Sequence, residues 1–439
     1  MQDILFEYEL NPTTWAYLSA LLTIGIYFKF NRLFSVRNLD LLGLIFFSPG
    51  LLLVFHGRST QSASLEQFGY AWLFGVGLLF IIRLFLDPLM VRRPKLDPNL
   101  SAGGLTFTGI AIMVFLAANV VARQPPQRLE HVLAVDDKSA IDSPGWRFFY
   151  YVSSFSNSPS VPVSLPKTEW GRPETHVQYP IARSMILLAH FSVLLGMVLI
   201  GYHHFESLQT GMAAAVLYLL SPYLGQMGGR VDHAVPAALL VWAMAAYRRP
   251  MVFGFLLGLA GALVFYPLFL LPLGCSFYWQ RGLRRYMVGT LLGLAVLVIL
   301  SAIVAGKPGS PESFAHQLGQ MFGATIFRET GVGFWQAYQP AYRIPVLAVF
   351  AVLCGSLALW PAQKNFGTLL SCTATVMLAS QFCHAFEGGL YMAWYLPLLV
   401  LTSFRPNLED RVALNAVIER RTAWARRVLQ RMRSPGSPT

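Results

Sequence analysis

The chain carries none of the short motifs that mark phosphate-loop, dinucleotide, zinc-peptidase or serine-hydrolase chemistry. His203-His204 has no Cys or acidic ligand at metal spacing, so it reads as a solvated feature of a short turn. The side chains that remain for chemistry are ionisable groups at one set of segment ends. They are Asp136, Asp137 and Asp142, then Arg183 and His190, then Arg230, Asp232 and His233. Glu312, His316, Arg328, Glu329 and Arg343 follow, and His384 and Glu387 complete the set. Ionisable groups at or below headgroup depth are costly unless they are paired or face a polar cavity. Their convergence points to a polar cavity opening on one side of a membrane. The alternative is ordinary loop charge at a membrane interface.

That argument presupposes membrane segments, and the composition supplies them. Of 439 residues, 55% are hydrophobic and only 12% are charged, with a formal net charge of +12. The charged share is about half that of a soluble domain. Mean hydropathy is +0.51. A disordered chain, a disulfide scaffold and a porin-like barrel are excluded, because the apolar runs are continuous and of helix length. The expected fold is an all-α polytopic membrane protein. Cys275, Cys354, Cys372 and Cys383 fall in or beside apolar runs and read as small buried hydrophobes. The first twelve residues hold Asp3, Glu7 and Glu9 without Lys or Arg, the reverse of a signal peptide's basic start.

Apolar runs of spanning length occur at 14–30, 38–55, 68–87, 104–121, 181–203, 209–225, 233–247, 286–305, 343–360, 366–384 and 390–404. One further run, 251–277, is interrupted by Tyr266-Pro267 and Pro272. Proline removes a helix hydrogen bond and clashes with the preceding turn, so the chain reverses there as a short helical hairpin. Thirteen membrane segments follow. The positive-inside rule then places the N-terminus outside and the C-terminus in the cytoplasm, with Lys364 and the tail inside. A single tilted span at 251–277 would reverse everything downstream. The expected localisation is the plasma (inner) membrane, in several passes.

Four regions follow from this reading. Residues 1–121 form an N-terminal four-span region. Residues 122–180 form a first long extracytoplasmic loop. Residues 181–404 form a transmembrane core with a second long outer loop at 306–342, and residues 405–439 form a basic amphipathic cytoplasmic tail. The first loop is neutral overall and rich in aromatics, among them Trp146, Phe148, Phe149, Tyr150, Tyr151, Phe155 and Trp170. Such rings suit the headgroup level of a bilayer, and equally the faces of sugars. The two long loops are expected to pack together over one membrane face. The tail suits anionic lipid, and no nucleic-acid recognition motif accompanies its charge.

Arg249 through Pro272 reads RPMVFGFLLGLAGALVFYPLFLLP. Together with VDHAVPAALLVWAMAAYRR before it, Tyr218–Tyr223 (YLLSPY) and Tyr391–Pro397 (YMAWYLP), it resembles the GT-C class of integral-membrane glycosyltransferases. The likeness covers roughly 175–404 and is greatest to the bacterial branch that uses polyprenyl-phosphate-mannose. It implies transfer of a sugar from a polyprenyl-phosphate donor to an extracytoplasmic acceptor. It also implies a catalytic carboxylate in the first long outer loop, where Asp136 and Asp137 match best, acting as general base on an acceptor hydroxyl. A nearby Arg would offset the departing lipid phosphate, with Arg183, Arg230 and Arg343 as candidates and Asp232 and His233 as further substrate-binding residues. Three features depart from the pattern. The acidic loop follows the fourth span, Val264 stands where many members have Lys, and the loop has no Asp-x-Asp. No metal ligand set is named, and a divalent cation stays open as a cofactor. The alternative is a non-catalytic membrane protein, either a transporter or a scaffold of an envelope complex.

Overall fold

The computed structural model describes residues 11–90, 96–122, 175–304, 333–362 and 364–406. These residues contain fourteen α-helices: α1 (Pro12–Tyr27), α2 (Val36–Ser59), α3 (Ala63–Phe85), α4 (Ala102–Ala122), α5 (Thr175–His204), α6 (Leu208–Leu219), α7 (Pro222–Met227), α8 (Val231–Ala245), α9 (Pro250–Leu263), α10 (Leu271–Tyr278), α11 (Leu283–Val304), α12 (Arg343–Leu359), α13 (Phe366–Cys383) and α14 (Leu396–Phe404). Seven of the described helical stretches are long and apolar enough to cross a bilayer. The chain is therefore a multi-pass helical membrane protein. The thirteen expected crossings are not matched one for one. Run 209–225 breaks at Ser221-Pro222 into α6 and α7, and run 390–404 becomes a 3₁₀ turn at Met392–Trp394 followed by the nine-residue α14. Short helices are tolerated inside such a bundle because other protein groups, rather than lipid, meet their ends.

Burial sorts the helices. Within the spanning window of α13, 94% of residues are buried, against 22% for α12 and 28% for α4 and α11, so α13 is the central post and the others face lipid. Exposed Phe107, Ile110 and Val114 mark the lipid face of α4. Local signals set several starts. Asn11 accepts from the N–H groups of Thr13 and Thr14, Ser35 from Asn38, and Asn365 from Thr368.

The 251–277 run turns back on itself. Tyr278 donates its hydroxyl hydrogen to the Tyr247 carbonyl, and Gly282 lies beside Pro250, so the end of α10 returns to the start of α9. The return lets α9 and α11 run parallel. Gly254 lies on Tyr286 and Thr290, and one turn later Gly258 lies on Thr290 and Gly293. A Cβ at Gly258 would strike the Thr290 carbonyl, so glycine is what permits this approach.

The bundle has two ends with different chemistry. At the first end Arg83 holds Asp40 through two hydrogen bonds of 2.8 Å and Asp87 at 2.7 Å, and Arg405 reaches Asp87 at 2.6 Å. Arg37 donates to the Arg405 carbonyl at 3.1 Å, and Ser403 to Asp40 at 3.2 Å. This buried network ties the chain leaving α14 to the starts and stops of α2 and α3. Lys364, also buried, donates to Ser276 Oγ and to the carbonyls of Ala358 and Pro361. His204 is not a solvated turn residue. It is half-buried, bonded to the Ala245 carbonyl at 3.0 Å and packed on Tyr247 and Phe366, because the turn folds back on the start of α13; His203 is exposed.

Candidate functional site

At the second end, three short connections meet. Arg58 at the end of α2 and Glu66 at the start of α3 flank the first turn, the segment 228–233 carries Arg230, Asp232 and His233, and the α13–α14 loop carries His384, Glu387 and Tyr391. Arg230 binds Asp232 at 2.9 Å and Glu387 at 2.7 Å. Arg58 binds Glu66 at 2.9 Å, Glu387 at 3.2 Å and the Tyr70 hydroxyl. Glu387 is thus the carboxylate shared by two guanidiniums. It is 6% exposed in its side chain, while each Arg keeps about a third of its surface, 31% and 32%. The polar face of the cluster therefore opens through the cations, with the carboxylates beneath.

The loop that presents Glu387 is held from below. Gln381 Oε1 accepts the N–H groups of Gly389 and Tyr391, both at 3.2 Å. Glu387 sits at φ +51 and Gly389 at φ +97. The left-handed turn costs an L-residue about 1–2 kcal/mol, and it is what swings the Glu387 carboxylate towards both guanidiniums. Trp394 Nε1–H donates to the Asp232 carbonyl at 3.1 Å and joins this loop to the start of α8.

Aromatic rings floor the cluster. His233 lies 4.4 Å from Tyr391, His384 stacks on Tyr266 at 4.6 Å and on Tyr391 at 4.5 Å, and Arg230 lies over the Tyr391 ring at 5.5 Å. His233 shares a short hydrogen bond with Tyr223, and its Nε2 lies 3.8 Å from Asp232. His190 bridges the Tyr218 hydroxyl and the Gly228 carbonyl, bracing the segment from α5.

The charges are set by these contacts. Burial works against the Arg230 cation, but Asp232 and Glu387 prevail and hold its pKa well above the ordinary range. Burial pushes His384 down to about 3, and the Arg343 guanidinium adds to that shift. His384 Nδ1 accepts from the Phe386 N–H at 3.1 Å.

Of the residues singled out by sequence, Arg230, Asp232 and His233 come together here, with His384 and Glu387. Arg343 is buried behind them and donates to the Cys383 carbonyl at 3.2 Å, within electrostatic reach of His384. Arg183 lies on α5, two turns beyond His190 towards the same end. Asp136, Asp137, Asp142, Glu312, His316, Arg328 and Glu329 lie outside the described residues, as does the tail beyond Pro406. The ends of the two long segments that are described both lie at this end. Asn119, near the end of α4, donates to the Gly225 carbonyl, and Gly333 accepts from Gln67 at 2.9 Å. Among the described residues no group of three or more His, Cys, Asp or Glu is arranged to hold a metal. Sequence reasoning missed Arg58, Glu66 and Tyr70. Their one visible signal was an Arg and a Glu flanking the short turn 59–62.

No family model, no curated protein and no solved structure matches the chain.

Proposed function

We propose that the protein is a membrane glycosyltransferase of GT-C type that moves a sugar from a polyprenyl-phosphate donor to an acceptor on the extracytoplasmic side. The observation that carries the reading is the cluster at the second end. Residues from the stretch of resemblance, Arg230, Asp232 and His233, share it with a ring-lined loop. Aromatic faces suit sugar rings, and paired carboxylates and guanidiniums suit sugar hydroxyls.

In this reading the base is Asp136 or Asp137, which must reach the cluster from the long segment that leaves α4 at its end. Such a carboxylate has to come within about 2.6–3.2 Å of the acceptor hydroxyl. Arg230 is engaged by two carboxylates, so its part is to hold Asp232 and Glu387 in place. Arg343, almost fully buried, backs the cluster from behind, and Arg183 is the candidate cation for the donor phosphate. The second end is extracytoplasmic, with N-terminus outside and C-terminus inside. The supporting contact is Arg405 bonded to Asp87, which puts the start of the basic tail on the face opposite the cluster.

The test incubates purified protein with radiolabelled polyprenyl-phosphate sugars and follows label into lipid-free or protein-bound product. Loss of transfer in Asp136→Asn with Asp137→Asn, at wild-type expression, is the expected result. Full transfer in that double variant rejects the base assignment, and no transfer from any donor by the wild type rejects the enzyme. One observation favours a second reading, transport. The break at Ser221-Pro222 adds a second discontinuous helix to the one at 264–270, and broken helices build transporter binding sites. Uptake by proteoliposomes without sugar transfer would select it.

A further inference from the structure

The break between α6 and α7 leaves polar groups inside the bundle. Pro222 has no N–H to offer. The Ser221 N–H turns to the Tyr218 carbonyl at 3.0 Å, and the Leu224 N–H to the Ser221 carbonyl at 3.2 Å. The Leu217 and Leu220 carbonyls therefore receive no donor from the residue four positions on. Ser221 Oγ is buried and has no hydrogen-bond partner among the described residues. Trp15 Nε1–H takes up the Ser221 carbonyl, not its hydroxyl.

Beside these groups lies a cavity of about 20 Å³, whose polar lining is Ser19 and Thr23 of α1 and Ser221 and Tyr223 at the break, with apolar side chains, Met392 among them, around the rest. One water needs at least about 10–15 Å³ and two to four polar partners. The volume suits one water. Ser19 Oγ donates to the Ala16 carbonyl at 3.0 Å, which leaves its lone pairs for a donor from the cavity. An unsatisfied polar group costs several kcal/mol in a bilayer interior, so a break of this kind calls for a partner.

We propose that this cavity is a built water site: one water bound between Ser221 Oγ and Ser19 Oγ satisfies the buried Ser221 hydroxyl beside the α6–α7 break. The site stands independently of both functional readings. Its consequence is local. Tyr223, two residues past the water, lines the same cavity and holds His233 of the ion cluster.

Radiolytic hydroxyl labelling of the protein in nanodiscs tests this, because side chains next to bound water are oxidised even when buried. Met392 lines the cavity, and Met377 is buried in α13 away from it. The expected result is Met392 labelled several-fold faster than Met377 in the wild type, with the excess lost in Ser221→Val and reduced in Ser19→Ala. Equal labelling of the two methionines in the wild type overturns the proposal without any variant. So does an excess at Met392 that survives in a folded Ser221→Val protein, or density for a lipid chain in the cavity.

Discussion

Replacing Glu387 by alanine removes the one carboxylate that Arg58 and Arg230 share. Breaking a buried ion pair by deleting one partner costs about 3–5 kcal/mol when the other charge is stranded. Here neither guanidinium is stranded, since Arg58 keeps Glu66 and Arg230 keeps Asp232. Both also keep about a third of their surface, which screens what is lost. The expected destabilisation is therefore about 2 kcal/mol, a factor of about 30 in the folded-to-unfolded ratio. Glu387→Gln preserves shape and one acceptor oxygen and should lose about 1 kcal/mol. Glu387→Gly separates the backbone from the charge, because glycine relieves the strain at φ +51 and should recover about 1 kcal/mol of the alanine loss. The assay is unfolding in a graded titration with denaturing detergent, with Arg230→Ala as the second arm of a double-mutant cycle. A Glu387→Ala protein as stable as wild type, or a cycle with no coupling to Arg230, would refute the joining role of Glu387.

Three other outcomes are expected. His384 is held neutral, with its folded pKa near 3 against an ordinary value near 6.5, so its contribution is fully present above about pH 6.5 and is lost as pH falls towards 3; His384→Gln should flatten the acid limb of a melting-temperature-against-pH curve, and an unchanged limb would contradict this. Asp87→Asn removes the buried carboxylate that Arg83 and Arg405 share at the first end, at a cost of about 3 kcal/mol read in the same detergent titration. Topology reporters placed at Gln280 and after Arg405 should both report the cytoplasm, and a reporter at Gln61 the opposite side; a Gln280 reporter on the same side as Gln61 would rule out the hairpin.

Much of the membrane architecture was legible in the residues, because it rests on local chemistry. Low charge and long apolar runs require a bilayer, whatever the packing. The reversal at Tyr266-Pro267 was readable for the same reason, since proline's missing N–H acts within one turn. The break at Ser221-Pro222 has the same cause, yet it was passed over inside a run of spanning length. Length alone does not distinguish one helix from two short ones whose ends meet protein.

The grouping of Arg58 with Glu387 was not legible. In a soluble protein an apolar stripe tells which face of a helix meets the core. Here lipid and core are both apolar, so helices such as α3 and α9 are apolar all round and their sequences do not say which neighbour each face meets. Arg230 and Asp232 are two positions apart, so the chain itself holds them within pairing distance. Arg230 and Glu387 are 157 positions apart, and only helix packing brings them together. Sequence alone determined that ionisable groups would sit at the ends of a helical bundle, because burying them unpaired in lipid is prohibitive. The tertiary structure decided which carboxylate faces which cation, because that depends on glycine-permitted approaches and on one left-handed turn, whose effect is felt only once the helices are in contact.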